Sequence, residues 1–167
     1  GLAVALVLST TAGLSIAGIV IIIKLGFSTV LTYLLFVLNS VFLGLIFLSV
    51  SFLVSILFSD RARVIAFTIF LWLFFAVLYD LGLVGLLIIT KGVVGNEVFS
   101  ALLVLNPVDV YRVLNFLSIG ELRVFLGLAA VELPGYMNTP VLWVITLLWV
   151  VMPLYLSYYF FKKRYLI

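Results

Sequence analysis

Residues 27–58 read FSTVLTYLLFVLNSVFLGLIFLSVSFLVSILF, 32 residues without one Asp, Glu, Lys or Arg. At about 1.5 Å per residue a helix of that length runs to roughly 48 Å. That exceeds the ~30 Å hydrocarbon core of a bilayer, so the segment tilts or continues past the headgroups. Strict apolar/polar alternation is absent, and the run is far longer than a barrel strand. This stretch decides the fold class: an all-α membrane protein, a polytopic helical bundle.

The same pattern extends on both sides. Upstream, Leu2 to Ile23 carries no charge and is closed by Lys24-Leu25-Gly26-Phe27-Ser28-Thr29. A signal peptide would begin with a basic segment and have a shorter apolar run. Downstream, Ser59-Asp60-Arg61-Ala62-Arg63 is a short charged connector. Val64 to Thr90 is interrupted only by Asp80, and a last run from Val141 to Phe161 ends at Lys162-Lys163-Arg164. Thr139 and Pro140 read as its N-cap and N1 residues. The predicted spans are 2–23, 30–58, 64–90 and 140–161, in a single transmembrane domain over 1–167.

Composition agrees. The 167 residues are 67% apolar and 9% charged, with a mean hydropathy of +1.49. A soluble domain carries about 45–50% apolar and about 25% charged residues. Cys and His are both absent, which excludes disulfides, thiolate or imidazole metal sites, and dyads needing either residue. No cofactor and no nucleic-acid partner is expected. The first residue is Gly1, inside an apolar run, so the chain reads as a fragment or processed piece lacking upstream spans.

Basic residues set the orientation. Arg61, Arg63, Lys162, Lys163 and Arg164 fall on one side of the predicted spans, and Lys24 and Lys91 on the other. The positive-inside rule places the Asp60 connector and the C-terminus in the cytoplasm of a multi-pass plasma-membrane protein.

Gly92 to Asn138 is too long for a turn and too apolar for an exposed loop. Val98 to Leu105 is apolar, and Asn106-Pro107-Val108-Asp109-Val110 reads as a helix start. Asn106 is the N-cap, Pro107 sits at N1, Asp109 at N3 faces the positive end of the dipole, and Leu105 with Val110 forms a hydrophobic staple. Arg112 lies three residues beyond Asp109, within pairing reach. Gly120 breaks the pattern; Glu121 and Arg123 open a second apolar stretch to Ala130, ended by Glu132, Pro134 and Gly135. Each arm is too short and too charged to cross alone. The prediction is an outer helical element over 98–132, a re-entrant or interfacial hairpin packed on the spans. Two extra full spans are the alternative.

Small residues recur four apart at Ser9, Gly13 and Ala17, at Ser40 and Gly44, and at Ser51 and Ser55. Such faces suit close helix packing within the chain, or a subunit contact. Asp80 is the one ionisable residue deep in a predicted span, about 24 Å from its cytoplasmic start. A carboxylate there costs about 2.5–3.5 kcal/mol on insertion scales. It serves as an ion relay, or as a structural partner for a residue of the outer segment such as Arg112; the second reading is favoured. Asp60, Arg61 and Arg63 suit headgroup anchoring or the docking of a cytoplasmic partner. Trp143, Tyr155, Tyr158 and Tyr159 fit interfacial positions, while the more central Trp149 suits packing. Pro153 predicts a kink. No P-loop is present, so ATP cleavage by this chain's own P-loop is excluded.

The order of these features resembles a family: an apolar hairpin, a Ser-Asp-Arg-x-Arg turn, a span carrying Leu78-Tyr79-Asp80-Leu81, then Leu105-Asn106-Pro107-Val108-Asp109-Val110-Tyr111-Arg112 and a last span ending in Phe160-Phe161-Lys162-Lys163-Arg164-Tyr165. From about Phe52 onward the chain is similar to the C-terminal part of ABC-2-type permeases. Within them it most resembles the NosY-like permeases linked to nitrous oxide reductase maturation. The resemblance implies a six-span homodimeric permease served by a separate cytoplasmic ATP-binding subunit. The four spans here would be its third to sixth, with residues 106–132 as the outward-facing re-entrant element. The first two spans and the main coupling helix would lie upstream. It further implies export of a sulfur species, or handling of copper-site precursors, for a periplasmic partner. A secondary transporter or channel using Asp80, and a membrane scaffold or assembly factor, are the alternatives.

Overall fold

The computed structural model describes residues 1–91, 93–118 and 134–165. The second arm expected after Gly120, with Glu121, Arg123 and Glu132, lies outside the described residues. Among the described residues, four helices are long and apolar enough to cross a membrane: Leu2–Leu25, Phe27–Leu57, Arg61–Ile89 and Thr139–Arg164. Their apolar side chains point mostly outward, with Ile23, Phe27, Ile88 and Ile89 all more than 70% exposed. In water this would be untenable; in lipid it is the stable arrangement. The chain is an all-α polytopic membrane protein.

Helix α1 (Leu2–Leu25) ends at Gly26, whose φ of 83° is open to glycine without steric cost. A single 3-10 turn (Phe27–Thr29) then leads into α2 (Val30–Leu57). Asp60 caps the next helix, accepting from the Ala62 N–H at 3.2 Å. The third span consists of α3 (Arg61–Leu73), a π turn (Phe74–Leu78) and α4 (Tyr79–Ile89). Among the described residues two short helices follow, α5 (Asn96–Val104) and α6 (Pro107–Ser118), before α7 (Thr139–Tyr165).

Helix α7 starts one residue earlier than expected. Asn138, not Thr139, is its N-cap: its Oδ1 accepts from the Val141 N–H at 3.2 Å, leaving Thr139 at N1 and Pro140 at N2. An amide side chain at this position caps as well as a hydroxyl. The helix runs on through Pro153.

Helix α2 lies between α1 and α7, and α6 packs against both α2 and α7. The buried apolar cluster is built from Phe99, Leu103, Val110, Val113, Leu114, Met137 and Leu142. It therefore lies in α5, α6 and the start of α7, where α6 buries the i, i+3, i+4 positions of one face. Packing within the chain, one of the two readings of the Ser9, Gly13 and Ala17 face, is corrected. Ser9, Gly13 and Ala17 are exposed, whereas Gly18 is buried against Tyr33. The Tyr33 hydroxyl donates to the Leu14 carbonyl, which fixes that face of α1 toward α2.

Candidate functional site

The chain reverses between α5 and α6 at Leu105–Asn106, and Asn106 is buried against the third span. Asn106 is fully buried and its side chain makes three bonds. Its Oδ1 accepts from the Val108 N–H at 3.0 Å, the N-cap bond anticipated from the Asn-Pro pair. Its Nδ2 donates to Asp109 Oδ2 at 2.9 Å and to the Phe75 carbonyl oxygen at 2.9 Å. Pro107 at N1 has no N–H to satisfy. The expected staple is not the feature that holds this entry, because Leu105 stays 58% exposed while Val110 is buried.

Phe75 and Ala76 belong to the π turn. A wider turn loosens the regular carbonyl ladder, and such turns occur often at functional sites. Here the carbonyls face donors from α6: Asn106 reaches Phe75, and Arg112 Nη2 donates to Ala76 at 3.2 Å. Arg112 Nη1 donates to Asp109 Oδ1 at 3.0 Å and also to Asp80 Oδ2. Both Asp109 oxygens are thereby occupied, one by Arg112 and one by Asn106. The pairing of Asp80 with Arg112 is thus realised. One guanidinium serves two carboxylates and a backbone carbonyl, a geometry suited to the planar fork of Arg.

The end of α5 is equally well satisfied. A helix leaves its last four carbonyls without intrahelical partners. The Leu105 N–H donates to Ala101 and Leu102 at 3.3 and 3.1 Å, and the Asn106 N–H to Leu103 at 3.2 Å. The Tyr79 hydroxyl donates to Leu102 at 2.7 Å, and Trp149 Nε1 to Val104 at 3.0 Å. Trp149 also meets Phe75 edge-on, with ring centroids 5.8 Å apart. Each of the last four carbonyls of α5 thus has a donor, as burial away from water requires.

On its other side α6 meets α2. The Ser40 hydroxyl donates to Phe36 at 2.8 Å, so Tyr111 is the donor in its 3.1 Å contact with Ser40 Oγ. Asn39 Nδ2 donates to Asn115 Oδ1 at 2.8 Å, and Asn115 Nδ2 to the Tyr111 carbonyl at 3.0 Å.

At the far end of the spans, Asp60 and Arg63 form a loose, exposed ion pair at 3.7 Å, and Arg61 is exposed. Arg164 reaches this elbow from α7. Its Nη1 donates to Ile56 at 2.6 Å and its Nη2 to Ser59 Oγ at 2.7 Å. A cation thus sits on the carbonyl end of α2, as the helix dipole favours. The elbow and the basic stretch at the end of α7 share one end of the bundle.

The sequence matches the family described as ABC-2 family transporter protein over residues 1–166. The chain belongs to that family. It is 32% identical over 132 residues to a protein named probable ABC transporter permease protein NosY from Stutzerimonas stutzeri. That alignment covers 77% of this chain and 47% of the relative. A protein of the same name from Pseudomonas aeruginosa is 29% identical over 126 residues, covering 75% of this chain and 46% of the relative. The chain spans about half the length of these curated relatives.

In this ABC-2 chain the structure brings Asp80, Asn106, Pro107, Asp109 and Arg112 together in one site. It keeps Asp60, Arg61 and Arg63 apart, at the elbow. Sequence reading did not assign roles to the buried pair Asn39 and Asn115, or to the bonds from Tyr79 and Trp149. A buried amide amid apolar neighbours was the available signal for Asn39, since such a group needs a partner.

Proposed function

We propose that this chain is the membrane-embedded part of an ATP-driven exporter, coupled to a separate cytoplasmic ATP-binding subunit that docks at the Asp60–Arg63 elbow. The elbow and the Lys162–Arg164 stretch face the cytoplasm, as the excess of basic residues at that end favours. The α5–α6 pair is a re-entrant hairpin entering from the outer side. The support for this is the depth of its turn: Asn106 meets the third span at Phe75, roughly 21 Å along the helix from Ile89. A chain reversal at that depth is tolerated only when its backbone is satisfied within the protein, and the last four carbonyls of α5 have donors here.

The observation that carries the mechanism is that the same two helices touch both ends. Helix α7 contacts the elbow through Arg164 and the hairpin turn through Trp149. Helix α2 contributes Ile56 at the elbow, and Asn39 and Ser40 against α6. Closure of the ATP-binding subunits displaces the elbow, and α2 and α7 carry that displacement to α6 as packed, two-state elements. A second copy of the chain completes the path as a homodimer. The resemblance to NosY-like permeases extends the proposal to a cargo released for a periplasmic partner in metalloenzyme maturation.

The grip of Arg112 on Asp80 favours this reading over an ion relay through that carboxylate. The test is ATPase activity of the chain reconstituted with its co-expressed P-loop subunit. Arg61→Ala with Arg63→Ala lowers stimulation, and Trp149→Phe uncouples ATP hydrolysis from transport while assembly persists. Unchanged coupling in both variants contradicts the proposal.

A further inference from the structure

A shallow groove of about 140 Å³ lies at the elbow end of the bundle, lined by Ile56, Leu57, Phe160, Lys163 and Arg164. Its lining has two characters. Ile56, Leu57 and Phe160 form an apolar wall continuous with the outward faces of α2 and α7, whereas Lys163 and Arg164 place cations at its rim. Arg164 is held on the Ile56 carbonyl and Ser59 Oγ, so its position is fixed. Lys163 is exposed, and its compact ammonium can turn toward the groove. Tyr155, Tyr158 and Tyr159 are exposed on the same stretch of α7, the aromatic composition found at headgroup level.

We propose that this groove binds an anionic phospholipid, with Lys163 holding the headgroup phosphate and an acyl chain lying along Ile56, Leu57 and Phe160. Charge complementarity selects the occupant. The lining carries two cations, Lys163 and Arg164, and no carboxylate. Basic pockets between helices on one side of a membrane are suited to phosphate headgroups. A free phosphate would satisfy Lys163 but leave the apolar wall uncovered; a lipid uses both.

Native mass spectrometry of the full chain, released from micelles containing equal phosphatidylglycerol and phosphatidylcholine of matched acyl chains, tests this. Phosphatidylglycerol is expected to be retained preferentially, and added inorganic phosphate is expected not to displace it. Lys163→Glu should lower retention at least fivefold, the change equal to about 1 kcal/mol for one cation at the surface. Ile56→Trp, which fills the groove, should do the same, and Lys162→Glu, outside the lining, should retain the lipid. Lys163 is exposed, so its variant is expected to fold. Equal retention of the two lipids, or displacement by inorganic phosphate, overturns the site. So does equal loss with Lys162→Glu, which marks undirected surface charge. Intact lipid retention in Lys163→Glu, with loss of ATPase stimulation, overturns it in favour of protein docking.

Discussion

Asn106 donates through Nδ2 to the Phe75 carbonyl oxygen at 2.9 Å, joining the first residue before α6 to the π turn of the third span. The two residues are 31 apart in sequence, and one amide carries the join. The same side chain caps α6 and steadies Asp109, so the local helix signal and the tertiary contact depend on a single residue.

Asn106 is therefore expected to behave unlike an ordinary N-cap. Asn106→Ala should destabilise the chain by about 2–3 kcal/mol, from the lost cap and the unpaired Phe75 carbonyl. At an isolated cap Asp replaces Asn with little loss. Here Asn106→Asp keeps the cap acceptor, but sets a carboxylate against both the Phe75 carbonyl and Asp109. It should cost at least as much as Ala. Thermal unfolding in detergent of the two variants decides; a stable Asn106→Asp protein would show that the amide bonds contribute little.

Arg112 stands between two carboxylates. Removing one partner of a buried ion pair costs about 3–5 kcal/mol, because a charge is left uncompensated. With 36% of its side chain exposed, Arg112→Ala belongs near the low end, about 3 kcal/mol. Adding Asp80→Asn should recover part of that loss, since it removes one of the facing carboxylates. Arg112→Lys should rescue incompletely, because an ammonium lacks the planar fork that reaches Asp80, Asp109 and Ala76 together. A double-mutant cycle on unfolding midpoints measures the coupling; simple additivity of Arg112→Ala and Asp80→Asn would contradict the network.

Gly18 and Gly13 offer a paired test of helix packing. A Cβ added at Gly18 would lie 2.5 Å from Tyr33 Cε1, whereas one at Gly13 meets nothing within 4 Å. Gly18→Ala must displace Tyr33 and its bond to Leu14, with an overpacking cost of about 1–3 kcal/mol. Gly13→Ala should be neutral or stabilise the helix by up to about 1 kcal/mol. Comparing the two unfolding midpoints checks it, and equal effects would contradict the observed contact face.

These sites differ in how far the sequence revealed them. The spans were legible because lipid demands long charge-free helices, and 32 such residues in a row admit little else. The start of α6 was legible because Asn-Pro-x-Asp places an N-cap, a donor-free residue and an acid in order. Asp80 with Arg112 could be named as a pair because few ionic partners exist in so apolar a chain. The π turn at Phe74–Leu78 was not legible, since its five apolar residues suit an ordinary helix equally well. The face by which α1 packs on α2 was not legible for a similar reason. Small residues permit close approach without choosing it, and Tyr33 selected the Gly18 face rather than the Gly13 face. The bonds from Tyr79 and Trp149 to α5 depend on a helix whose short length gives a weak sequence pattern.

The most direct test concerns the shared side of the elbow and the end of α7, on which ATP coupling depends. The chain has no native Cys, so single-cysteine variants report without background. Arg63→Cys, Lys162→Cys and Asn96→Cys are to be labelled on intact cells with a membrane-impermeant maleimide, then again after permeabilisation. The account expects Asn96→Cys to react from outside, and both Arg63→Cys and Lys162→Cys to react only once the membrane is opened. Labelling of either of those two from outside would contradict it.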